Sequence, residues 1–150
     1  MTPKASLLFP ASLDKEARAE LREFAAQLQM DVATGQPFVC LFSDDAKLQE
    51  LNREFLGKDY PTDVLSFPNA EEEGSEEGLG ELAISVERAA AQAAEQGHSL
   101  VAELKVLMLH GVLHLMGLDH ETDGGKMRRV EAKLRKQYEL PAGLIERSRK

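Results

Sequence analysis

The stretch "SLVAELKVLMLHGVLHLMG", residues 99–117, constrains this chain more than any other. It is the most apolar helical segment in the sequence. Ser99 is a good N-cap and Gly117 can end a helix in the left-handed conformation, so the pattern predicts a helix over 100–116. His110 and His114 stand four residues apart on it, which projects both imidazoles from one face, one turn apart. Burying two imidazoles in so apolar a helix costs free energy unless both find partners. A pair at i and i+4 is also a common way for a helix to offer two nitrogens to zinc.

Three residues beyond Gly117 comes His120, placed to close a third coordination position. Three protein nitrogens and an open fourth position describe a catalytic zinc site, since structural sites are usually closed by four protein ligands. Imidazole-rich open sites suit zinc first, although nickel, copper and iron accept the same ligand type. The expected metal ligands are therefore His110, His114 and His120, holding one Zn2+ per chain with water at the open position. No catalytic residue beyond them is assigned. Asp119 and Asp123 flank the third histidine and read either as carboxylates orienting an imidazole or as a turn residue and an N-cap. His98 follows Gly97 in a turn and reads as a surface residue.

The spacing can be set against the long zinc-protease signature, H-E-x-x-H-x-x-G-x-x-H. Aligned from His110, this chain reads H-G-V-L-H-L-M-G-L-D-H. All three histidines and the glycine fall in place, but Gly111 stands where the proteases have glutamate. In those enzymes the glutamate takes the proton from metal-bound water. Glycine cannot, so the ligand pattern resembles a protease while the chemistry points elsewhere.

The rest of the chain supplies one domain's worth of structure, residues 1–150. Strands are predicted at 4–9, 37–42, 62–68 and 79–86. Helices are predicted at about 13–30 with Ser12 as cap, 43–56 with Ser43 as cap and Leu48, Leu51 and Phe55 inward, 87–97, 100–116 and 123–138. Met127, Val130, Leu134 and Tyr138 form the inward face of the last helix. An acidic loop, "NAEEEGSEEG", spans 69–78. The order β-α-β-α-β-β-α-α-α is that of an α+β domain with about four strands in a mixed sheet packed with helices. Cys40, the single cysteine, excludes an internal disulfide and reads as a small buried hydrophobe. The N-terminal apolar run is too short for a signal peptide or a membrane span, so a cytoplasmic protein without membrane attachment is expected.

Charge is unevenly spread. The net charge is −8, yet residues 126–150 hold nine of the 18 basic residues against three acids, leaving +6 there and −14 before it. That segment reads either as a solvated helix face with a ragged tail or as a local phosphate-attracting patch on an acidic body.

"HGVLHLMGLDH" resembles the signature of the YbeY family, bacterial endoribonucleases that act in rRNA maturation. "LNREFLGKDYPTDVLSFP" (51–68) resembles that family's other signature stretch, and "GELAISVERA" (80–89) sits where the family has a strand leading into a helix. The resemblance covers most of residues 48–123. It implies a compact zincin-like α+β fold, and one zinc on His110, His114 and His120. It also implies cleavage of single-stranded RNA in 16S rRNA 3′-end maturation and ribosome quality control, with rRNA and the ribosomal small subunit as partners. The chain departs from the family at Leu56, where members often carry an arginine held to contact the RNA backbone; Arg53 and Lys58 lie close by. On this reading Lys126, Arg128, Arg129, Lys133, Arg135 and Lys136 become candidates for an RNA-facing surface. Two other readings stay open: a zinc-dependent peptidase or amidase with a base elsewhere, and a non-catalytic zinc-stabilised module that binds ribosomes.

Overall fold

Alternating apolar strands and amphipathic helices leave each element one face to bury, and a sheet with helices on both sides satisfies them all. In the computed structural model, which describes residues 4–69, 78–119 and 123–142, the strands are β1 (Ser6–Leu8), β2 (Val39–Ser43), β3 (Val64–Pro68) and β4 (Gly80–Ser85). The helices are α1 (Lys15–Asp31), α2 (Asp45–Leu56), α3 (Val86–Gln96), α4 (Leu100–Leu115) and α5 (Lys126–Gln137). The predicted order and α+β class hold. The four-stranded sheet runs β1-β2-β4-β3. β1, β2 and β4 are parallel, and β3 closes the edge antiparallel to β4, with Val64 opposite Ile84 and Pro68 opposite Gly80. The acidic loop predicted at 69–78 falls largely outside the described residues.

Period-2 alternation divides the strands between two faces. Cys40, Phe42, Leu82 and Ile84 point to the main core, where Leu21, Phe24 and Leu28 of α1 meet α4 and Met127 of α5. Leu65 and Ala83 point the other way and meet Leu48 of α2 in a smaller cluster. Cys40 is buried as expected, and burial pushes its thiol well above the usual range. Among the described residues no helix is long and apolar enough to cross a membrane.

Three local readings need correction. The caps of α1 and α2 are Asp14 and Asp44, whose carboxylates accept from the amides of Ala17 and Lys47 at 2.8 Å. Ser43, the last residue of β2, stands one residue too early to cap α2, because Asp44 lies between it and the first helical residue, Asp45. Phe55 is 61% exposed, not inward. The buried position on that turn is Asn52, whose side-chain amide donates to the Tyr60 carbonyl at 3.0 Å and anchors the turn that follows.

Candidate metal centre

α4 begins and ends as the sequence predicts. The Ser99 hydroxyl accepts from the Ala102 amide at 3.1 Å. At the other end Gly117 adopts φ +91°. Its amide donates to the His114 carbonyl at 2.9 Å, and the Leu118 amide to the Leu113 carbonyl at 3.2 Å. These paired bonds form the Schellman ending that a left-handed glycine allows, and they turn the chain away directly after the second histidine.

From Glu103 to Leu115 every α4 residue but Lys105 and His114 is buried, His110 included. The helix lies flush on the sheet at Gly111. A Cβ there would stand 2.6 Å from Leu82 Cδ2 and 3.1 Å from Cδ1. The Ser66 hydroxyl of β3 reaches the Gly111 carbonyl at 3.4 Å. The signature-like stretch 51–68 and the histidine-bearing helix thus meet in space at this point. Gly111 has a packing role that its place in the sequence does not show: its side of α4 is filled by the sheet.

On another side of α4 the two histidines come together. His110 Nε2 and His114 Nε2 are 3.2 Å apart. A tetrahedral ion with bonds of about 2.0–2.1 Å separates two ligand atoms by about 3.3–3.4 Å, so the observed spacing suits two donors to one zinc. His110 Nδ1 lies 2.7 Å from Oε2 of Glu131, which is 1% exposed on α5. A carboxylate can only accept, so Nδ1 carries the proton and Nε2 presents its lone pair. This is the carboxylate–histidine arrangement that commonly fixes a metal ligand's tautomer and ring orientation. Glu131 was missed by the sequence reading. Its signal was present: it is an acid on the apolar stripe of α5, adjoining Val130 and four residues from Met127.

His120 lies outside the described residues, and among the described ones no group of three or more histidine, cysteine and carboxylate side chains is arranged around a metal position. Asp123 is not the N-cap of α5, which is Gly125, but its carboxylate accepts from the amides of Gly125 (3.0 Å) and Met127 (2.8 Å) and so serves the free amides at the start of that helix. His98 is not a surface residue. It is half-buried, with Nε2 2.6 Å from Oε1 of the fully buried Glu103. The turn of α4 that follows its Ser99 cap rolls Glu103 inward and draws the imidazole after it.

The basic residues of 126–136 do not share one face. Lys126 and Lys133 line a groove with Asp31 and Val32 at the end of α1. Arg128 and Arg135 are three residues before and four after Glu131, on the flank of α5 turned to the histidines. Arg129 donates to the Gly124 carbonyl at 3.3 Å. Leu56, at the end of α2, is 49% exposed, and Arg53 beside it stands 3.7 Å from Asp59.

The fold and site together define an α+β domain whose central apolar helix carries a histidine pair braced by a buried carboxylate. The sequence pattern of the family described as Endoribonuclease YbeY matches residues 6–139. A protein of Solibacter usitatus called Endoribonuclease YbeY is 52% identical over 138 residues, 92% of this chain and 88% of that one. One of the same name from Nautilia profundicola is 43% identical over 118 residues, 79% and 84% of the two chains. The solution structure of TM1509 from Thermotoga maritima superposes with a TM-score of 0.60 at 26% identity, covering 87% of this chain and 85% of that one. The chain belongs to the YbeY family.

Proposed function

We propose that this chain is a metal-dependent endoribonuclease that cuts single-stranded RNA, with His110, His114 and His120 holding one zinc ion. The observation that carries the reading is the histidine pair: two Nε2 atoms 3.2 Å apart, one ring oriented by Glu131, in a member of a family named for endoribonuclease activity. Zinc at such a site supplies a Lewis acid for a phosphoryl oxygen and a nucleophilic water at neutral pH. The chain's own contribution is orientation. Glu131 holds His110 in one tautomer, and the Gly117 turn redirects the chain directly after His114.

Action in 16S rRNA 3′-end maturation and ribosome quality control, contact with the small subunit and a cytoplasmic location rest on the family alone. The whole of 1–150 is read as one metallohydrolase domain. The packing at Gly111 speaks against the peptidase alternative, because Leu82 fills the direction in which a protease carries its base.

The test is to incubate metal-loaded wild type and His114→Ala with single-stranded RNA and with unstructured peptides. RNA cleavage by the wild type, lost in the variant, is expected. Peptide cleavage lost in the variant would overturn the reading in favour of a peptidase. Intact RNA, with metal removal lowering only the melting temperature, would leave a zinc-stabilised module.

A further inference from the structure

A buried hydrogen-bond donor without a partner is uncommon in a folded protein, and where one stands beside a site it marks a place for something else to bind. Arg128 carries such a donor: its Nε is buried and makes no hydrogen bond among the described residues. The residue lies one helical turn before Glu131, whose carboxylate is bonded to His110. On a helix, residues three apart are neighbours and side chains lean toward the N-terminus. The Arg128 side chain therefore leans over the first turn of α5, on the side of the helix that carries the histidine brace. The neighbouring cations are disposed otherwise, with Arg129 on the Gly124 carbonyl and Lys126 and Lys133 on the opposite flank, in the groove against α1.

Guanidinium recognises phosphate through a planar edge made of Nε–H and one terminal N–H, which suits a bidentate contact with two non-bridging oxygens. An unbonded Nε leaves half of that edge without a partner. We infer that Arg128 is the phosphate-binding cation of this site, gripping a backbone phosphate of the RNA strand next to the histidine centre. The inference rests on the proposed nuclease reading and narrows the basic segment to one residue with a stated role. Arg128 holds substrate; it takes no part in proton transfer.

The test measures binding of metal-loaded protein to a labelled, cleavage-resistant single-stranded oligoribonucleotide (2′-O-methyl throughout, with ordinary phosphodiester links) by anisotropy across a salt series. Arg128→Gln is expected to weaken binding about tenfold and to flatten the dependence of log Kd on log salt by about 0.7, the loss of one phosphate contact on a single strand. Arg128→Lys should recover part of the affinity, and the melting temperature should stay at the wild-type value. Lys47→Gln, on α2 across the sheet, controls for net charge and should bind like wild type. Unchanged affinity and slope in Arg128→Gln would overturn the inference, as would equal weakening by Lys47→Gln. So would a lowered melting temperature that Arg128→Met restores together with binding, since that would make Arg128 a packing residue. Failure of the wild type to bind or cut RNA overturns the nuclease reading and this inference together. Wild-type activity with an indifferent Arg128→Gln overturns this inference alone.

Discussion

Substituting Gly111 by alanine tests whether α4 sits on the sheet as tightly as the geometry requires. The added Cβ would stand 2.6 Å from Leu82 Cδ2, 3.1 Å from Cδ1 and 3.4 Å from Cγ. Carbon atoms in good contact lie about 3.5–4.0 Å apart, so roughly an ångström of overlap must be relieved. The backbone of β4 cannot retreat, because it is paired with β2 on one side and β3 on the other. Leu82 is fully buried and has no solvent to move into. Relief must come from an off-rotamer Leu82 or a lifted helix, and overpacking of this kind costs about 1–3 kcal/mol. Against it stands the helix preference of alanine over glycine, worth about 1 kcal/mol.

The balance is a net loss of about 1 kcal/mol, or roughly 2–4 °C in melting temperature for a chain of this length. Thermal and urea unfolding in chelator, which removes any metal contribution, would read it. A Leu82→Ala partner variant sharpens the test. Alone it should cost about 2–5 kcal/mol by opening a cavity. Combined with Gly111→Ala it should cost less than the two added, by about 1 kcal/mol, because the new methyl enters the space the leucine vacated. Gly111→Glu, which restores the protease letter, should be less stable than Gly111→Ala and gain no peptidase activity. The reasoning is refuted if Gly111→Ala melts at or above the wild-type temperature with strictly additive energies.

Two further outcomes follow from the same geometry. Glu131→Ala should weaken zinc binding about 10–100-fold in competition with a chromogenic chelator, as loss of a ligand-orienting carboxylate generally does; an unchanged affinity would detach Glu131 from the metal centre. Asp45 is held below the usual carboxylate range by the Ser85 hydroxyl at 2.6 Å, with partial burial opposing and the Arg88 guanidinium adding at 3.3 Å. A lowered folded-state value means that its stabilisation is present above the unfolded carboxylate value, about 3.9, and is lost as pH falls through the folded one. Asp45→Asn should therefore show a flatter acid limb in urea unfolding below about pH 4, and parallel limbs would sink this assignment.

The order of elements was legible because each one announces itself within a few residues: an apolar strand, a cap, a glycine stop. What escaped depends on pairing across sequence distance. Asp14 and Asp44 displaced the serines just before them because tertiary position decides which of two capable residues meets the free amides. Phe55 has the spacing of an inward residue on α2, yet it lies outside the small cluster that Leu48 makes with Leu65 and Ala83, and its ring is exposed, edge-on to Phe67 at 5.5 Å. Glu131 is the instructive miss. An acid among basic neighbours reads as a surface charge until α5 is seen to carry it to His110, 21 positions away. The histidine pair itself was visible because a helix converts a spacing of four into proximity. His120 lies beyond the end of that helix and outside the described residues.

Gly111 shows why the ligands and the base of a protease signature can be separated. On a helix the residue after the first histidine is turned about 100° from it, while the second histidine is turned only about 40° from the first. The pair and the base therefore occupy different arcs of one helix, and different neighbours constrain each. Here the histidine arc faces Glu131, and the arc of Gly111 is closed by Leu82. Changing the letter at 111 would leave the histidine spacing alone while forcing a side chain into the sheet. A helix pressed this close to β4 can keep its imidazoles in register and still have no room for a carboxylate beside the first of them. On the proposed nuclease reading, position 111 therefore supplies no proton acceptor.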